Sequence, residues 1–155
     1  MKTSAKLSTS MRSDPRELAA MRERIEAWLI PQGWDTTAVT EIVLAVDEAL
    51  TNVIRHAYHG RTTEPIELRC GAVHDAERGD GVEIVIRDYG RQTALEDICG
   101  RDLNELRPGG LGVHIIRSTM DRADYSHAEG GGMTLVMRKY RRSADSSESV
   151  PARDP

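Results

Sequence analysis

Apolar residues recur along the chain at two spacings, and the change from one to the other marks out the elements. Leu18, Met21, Ile25, Trp28 and Leu29 fall three and four apart, which predicts an amphipathic helix over 15–30. Ser13-Asp14-Pro15 offers a capping side chain and an early proline, and Pro31-Gln32-Gly33 a stop. A second helix opens at Asp35 or Thr36 and runs to about Tyr58, with Ile42, Val43, Val46, Leu50, Val53, Ile54 and Ala57 on one face. The spacing then falls to two. Over 66–70 and 82–87 apolar residues mostly alternate with charged ones, so each strand buries one face and wets the other. The polar stretch from His74 to Gly81 joins them as a hairpin. Residues 109–120 return to helical spacing through Val113, Ile116 and Met120, and 122–128 and 133–140 read as strands joined at Gly130-Gly131-Gly132. Near the start, Leu7, Thr9 and Met11 alternate with Lys6, Ser8 and Ser10, which predicts a short edge strand.

These elements predict an α+β fold: a two-layer sandwich whose mixed, mostly antiparallel sheet is covered on one face by about three helices. The domain spans 1–140. Residues 91–108 carry mixed charge and little periodicity, a candidate mobile loop, and 141–155 are Ser-, charge- and Pro-rich, a disordered tail.

Composition narrows the function. A length of 155 residues suits one domain with a modest core, which Leu, Ile, Val and Met must fill because Phe is absent. A net charge of −4 without a basic stripe argues against nucleic acid as a partner. Cys70 and Cys99 make no disulfide framework and suit free thiols in a reducing cytoplasm. No apolar run approaches membrane-spanning length, and the polar start lacks a signal peptide's apolar stretch, so a soluble cytoplasmic protein is expected.

Three groups of residues carry candidate chemistry. Glu41, Ala45, Glu48, Asn52 and His56 form a stripe on the second helix, opposite its apolar face. A solvated face is one reading. Against it, Ala45 lies within the stripe and Leu44 close to it, so something packs on this side. In the other reading the Asn52 carbonyl oxygen is a hard ligand for Mg²⁺, and Glu48, one turn earlier, a general base. Asp88 continues the inward phase of Val82, Ile84 and Ile86, and a buried carboxylate needs donors. Those donors are either backbone amides at the following turn or a ligand amine such as that of adenine. Gly90 permits close backbone approach. Pro108-Gly109-Gly110-Leu111-Gly112 leaves backbone N–H groups free at a helix start, either as a hinge or as a cradle for phosphate. Its spacing fits neither the Rossmann nor the P-loop pattern.

In this order, Glu48-Ala49-Leu50-Thr51-Asn52 with His56-Ala57-Tyr58, Asp88-Tyr89-Gly90, and Gly109-Gly110-Leu111-Gly112 with Ile115-Ile116-Arg117 and Met120-Asp121 resemble the ATP-binding (GHKL, or Bergerat) fold of DNA gyrase, histidine kinases and MutL. More closely, the chain resembles the anti-sigma factor serine kinases of bacterial partner switching, from about residue 13 to 140. The resemblance implies ATP and Mg²⁺ as cofactors, Glu48 as catalytic base and Asn52 as metal ligand. It implies Asp88 on the adenine amino group, Gly90 close to the base, and residues 91–108 as a lid over the phosphates. Gly109, Gly110, Leu111 and Gly112 would line that lid, Arg107 would share the phosphate charge in competition with Arg101 and Arg91, and Thr134 would sit beside the adenine. Gln92 stands where the family carries a second glycine. The implied partners are a small antagonist protein, a sigma factor or comparable effector, and a second copy of the chain in a homodimer.

Overall fold

The computed structural model describes residues 5–92, 94 and 110–142. Arg107, Gly109, Cys99, most of the 91–108 loop and the tail from 143 onward lie outside the described residues.

Strand β1 (Lys6–Arg12) leads through a 3₁₀ turn (Pro15–Glu17) to helix α1 (Leu18–Leu29). Asp14 caps that turn and accepts the Arg16 backbone N–H at 3.0 Å; its contacts with Arg16 hold its carboxyl down at about 2. A second 3₁₀ turn (Ile30–Gln32) ends at Gly33, whose φ of 80° only glycine adopts readily. Helix α2 (Thr36–Asn52) is capped by Asp35, whose side chain accepts the Ala38 N–H at 2.8 Å. The expected single helix to Tyr58 is therefore two pieces, because Val53–Ala57 forms a π-helical turn. Strands β2 (Pro65–Asp75) and β3 (Gly79–Asp88) are longer than the alternating pattern alone predicts. Helix α3 (Gly110–Thr119) and strands β4 (Arg122–His127) and β5 (Met133–Tyr140) complete the described chain.

The five strands lie in the order β1-β2-β3-β5-β4, and every pairing is antiparallel, so the expected parallel component is absent among the described residues. Register places Leu7, Thr9 and Met11 opposite Cys70, Leu68 and Ile66, which puts the alternating set of β1 on the helix side. The core lies between that face and the helices: Ile25, Leu29, Ile42, Val46 and Leu50 meet Ile66, Leu68, Ile84, Ile86 and Met137. Each such side chain contributes about 1.5–3 kcal/mol through burial. Cys70 is a buried free thiol, pushed up to about 12 by its surroundings. The other face of the sheet is polar, with Arg138 and Glu83 paired at 2.6 Å.

Lys139 is the exception on the buried face. Its ammonium lies 2.6 Å from Glu41 of α2 and donates at 2.6 Å to the carbonyl of Thr119, the last residue of α3. One side chain of β5 thus ties both helices to the sheet and places a cation at the carbonyl end of α3. No helix among the described residues is long and apolar enough to cross a membrane.

Candidate functional site

Glu48 and Asn52 lie on the last two turns of α2, both half-buried. Of the residues that argued for packing on this side, Ala45 is fully buried, and α3 packs against α2. Leu44 is 42% exposed and stays on the surface. The stripe is thus covered at Ala45, bound to Lys139 at Glu41 and half-open at Glu48 and Asn52.

The π turn after Asn52 sets up the next contact. Tyr58 N–H reaches back to Val53 O at 3.1 Å and Gly60 N–H to Ile54 O at 2.9 Å, so the chain curls wider than an α-helix. Ala57 O accepts the Arg91 N–H at 3.0 Å, beyond the end of β3. Gly90 lies against Ala57 so closely that a Cβ at this position would fall 2.5 Å from Ala57 O. The chain just beyond Asp88 and the end of the π turn that follows Asn52 are therefore locked together, and a glycine is what permits it. Tyr58, fully buried, completes the joint: its hydroxyl donates to Pro65 O at 2.6 Å and accepts the Tyr89 N–H at 2.7 Å.

Asp88 is 3% exposed, as its phase in the strand predicts. Its Oδ1 accepts the N–H of Gly90 at 3.0 Å and of Met133 at 3.3 Å. Both backbone bonds fall on one oxygen, which supports the turn-capping reading without removing the second oxygen from use by a ligand. Burial pushes the carboxyl above its ordinary range, and the two N–H groups and the Arg87 guanidinium pull against that rise.

The β4–β5 turn forms the far wall. Gly132, at φ 77°, would set a Cβ 2.0 Å from Asp88 O. Arg87 holds the turn by donating to Gly131 O at 2.7 Å, Glu129 O at 3.1 Å and Asp88 O at 2.6 Å, while it stacks over the Tyr89 ring at 4.3 Å. Here the placement of Thr134 is corrected. Thr134 pairs with Arg87, so it projects from the polar face of the sheet, away from Asp88. Met133, one residue earlier and 7% exposed, takes the inward phase beside Asp88. Gly110, Leu111 and Gly112 lie in the first turn of α3, the helix that packs on α2; Arg107 and Gly109 lie outside the described residues.

Sequence alone does not give the contacts of three residues at this end of the sheet. Tyr58 was visible only as a neighbour of the Asn-bearing helix, since nothing in sequence separates a core tyrosine from a bridging one. Met133 lies in a strand whose two phases, Met133/Leu135/Met137 and Thr134/Val136, are equally apolar to the eye, so sequence does not say which faces inward. Gln92 was visible as a missing glycine, and its amide use was not. Among the described residues no cluster of three or more His, Cys, Asp or Glu gathers for a metal. The donor set instead suits Mg²⁺ held by one amide oxygen together with phosphate oxygens, a usual arrangement for that ion.

Residues 11–139 match the histidine kinase-like ATPase domain family, and the chain belongs to it. Within the curated proteins, it is similar to the serine-protein kinase RsbW of Bacillus velezensis, 24% identical over 83% of this chain and 81% of that protein. The serine-protein kinase RsbW of Listeria innocua is 27% identical over 87% of each chain. Among solved structures, the RsbU and RsbW domains of a Mycobacterium tuberculosis protein share the fold, with a TM-score of 0.60 at 18% identity over 88% of this chain. The present chain spans about a third of that one (32%).

Proposed function

We propose that this protein is an ATP-dependent serine kinase that phosphorylates a small antagonist protein and sequesters a sigma factor or comparable effector. The single observation that carries the reading is the joint at Ala57–Gly90, which ties the π turn that follows Asn52 to the chain just beyond the buried Asp88. Family membership and the similarity to serine-protein kinases support it.

In this reading Asp88 accepts the purine amino group, and the backbone at Gly90 passes close to the base. Asn52 would hold Mg²⁺, which supplies charge neutralisation for the phosphates when bound. Backbone N–H groups at Gly109, Gly110, Leu111 and Gly112, with Arg107, would share that charge. The serine Oγ–phosphorus bond forms as the bond to the β–γ bridging oxygen breaks. ADP leaves, and Glu48 takes the hydroxyl proton late in the transfer. Phosphoryl transfer needs mainly positioning and charge stabilisation, so a site built of one base, one amide and free N–H groups suffices. The added phosphate carries about −1.5 to −2 charges, which would expel the modified antagonist from an acidic or desolvated surface and free the kinase, as a homodimer, for its other partner.

Incubation with γ-labelled ATP, Mg²⁺ and the antagonist should yield phosphoserine. Glu48→Ala should keep nucleotide and lose about 100-fold or more in transfer rate, and Asn52→Ala should lose Mg²⁺-dependent affinity. Transfer by Glu48→Ala at the wild-type rate would show the base to be elsewhere. The substitution of Gln92 for a family glycine favours a second reading, a nucleotide-binding regulatory module without turnover. Nucleotide protection against heating with no phosphoserine product would select it.

A further inference from the structure

Gln92 does more than occupy a glycine's place. With Arg91 N–H held on Ala57 O, the Gln92 side chain reaches the β4–β5 turn, where Nε2 donates to Gly132 O at 3.1 Å and Ala128 O at 3.2 Å. Gly132 O also accepts the Ala128 N–H at 3.0 Å. The other end of that same peptide unit is the Met133 N–H, which donates to Asp88 Oδ1 at 3.3 Å. A peptide is planar, so fixing its carbonyl fixes the direction of its N–H. A donor on the carbonyl also polarises the N–H at the far end. Arg87 takes the carbonyls of Glu129, Gly131 and Asp88 and leaves that of Gly132 to Gln92 and Ala128. Gly132 has no side chain to steady the unit, and its close approach to Asp88 O means that a small rotation there moves the carboxylate's surroundings.

We propose that Gln92 is a positioning residue for nucleobase recognition: through the Gly132–Met133 peptide it aims the N–H that orients Asp88, and so tunes how firmly Asp88 takes a purine amino group. The inference rests on the nucleotide reading above. It makes Gln92 a functional replacement for the family glycine, in which the flexibility of the chain after β3 is exchanged for a side-chain strap onto the β4–β5 turn.

The test uses the full chain and two ligands, ATP and purine riboside triphosphate, which lacks the 6-amino group. Gln92→Leu removes the donor, and Gln92→Glu replaces it with an acceptor of the same shape. Gln92→Asn, one methylene shorter, serves where either fails to fold, as judged by thermal unfolding. Gln92 is a surface residue, so the expected loss in ATP affinity is modest, about fivefold, while affinity for the 6-unsubstituted analogue stays within about twofold of wild type. A purely structural role would weaken both ligands equally. Equal losses, or no loss for ATP, overturn the proposal. Wild-type protein that binds neither ligand overturns the nucleotide reading itself, and wild-type protein that binds both alike overturns the Asp88–amine contact and with it the proposal; each outcome is visible before any variant is made.

Discussion

Burial raises the Asp88 carboxyl from its ordinary 3.8, against the pull of the Gly90 and Met133 N–H groups and of Arg87. For an acid raised by folding, ionisation works against the fold: the cost is absent well below 3.8 and grows as pH rises through that value toward the folded one. Asp88→Asn removes the cost and keeps an oxygen for the two N–H groups. Its unfolding midpoint at neutral pH should equal or exceed that of wild type, with the difference closing below pH 3.8. ATP binding should be lost, because the amide turns an NH₂ donor toward the base amine; calorimetry and nucleotide titration read the two effects separately. Gly90 and Gly71 make a second contrast. A Cβ at 90 meets Ala57 O at 2.5 Å, while one at 71 meets nothing within 4 Å. Gly90→Ala should cost about 1–3 kcal/mol in denaturant unfolding, and Gly71→Ala no more than about 0.5 kcal/mol. Single residues were unevenly legible. The inward phase of Asp88 followed from three apolar residues before it. Met133 and Thr134 lie in a strand whose two phases look alike, and only the pairing of Thr134 with Arg87 separates them.

At the scale of elements, Lys139 links β5 to Glu41 of α2 and to the last carbonyl of α3. Removing one member of a mostly buried pair leaves the other charge unmatched, though Glu41, at 30% side-chain exposure, keeps part of its hydration. Lys139→Ala should therefore cost about 2–3 kcal/mol, read by denaturant unfolding. Joint replacement with Glu41→Leu and Lys139→Met should restore most of the loss, because two apolar groups of similar volume need no mutual charge. The elements themselves were largely legible, since helical and strand spacings are set by which face meets the core. Two features were not. The π turn of Val53–Ala57 keeps the apolar pattern of an α-helix and departs only in its hydrogen bonds. Strand β2 runs on to Asp75 because β3 pairs with it that far, although Gly71 and Ala72 break its alternation of apolar and charged residues.

Across the whole molecule, one antiparallel sheet with helices on one face brings together the end of β3, the β4–β5 turn and the π turn that follows α2, and there the proposed function puts the nucleobase. Each contact there depends on a residue whose type is locally unremarkable: a glycine against a carbonyl, a tyrosine between two backbone groups, a glutamine on a turn. The ordered set of polar and glycine boxes was enough to point to the family that the comparison shows, while long-range register decides which atoms lie beside Asp88. Equilibrium titration of the purified full chain with ATP in Mg²⁺, with Asp88→Asn measured alongside, tests the nucleotide site most directly. The account predicts saturable one-to-one binding by the wild type that the substitution abolishes while the fold is retained. A folded wild-type chain that takes up no ATP, or a variant that binds it equally well, would contradict it.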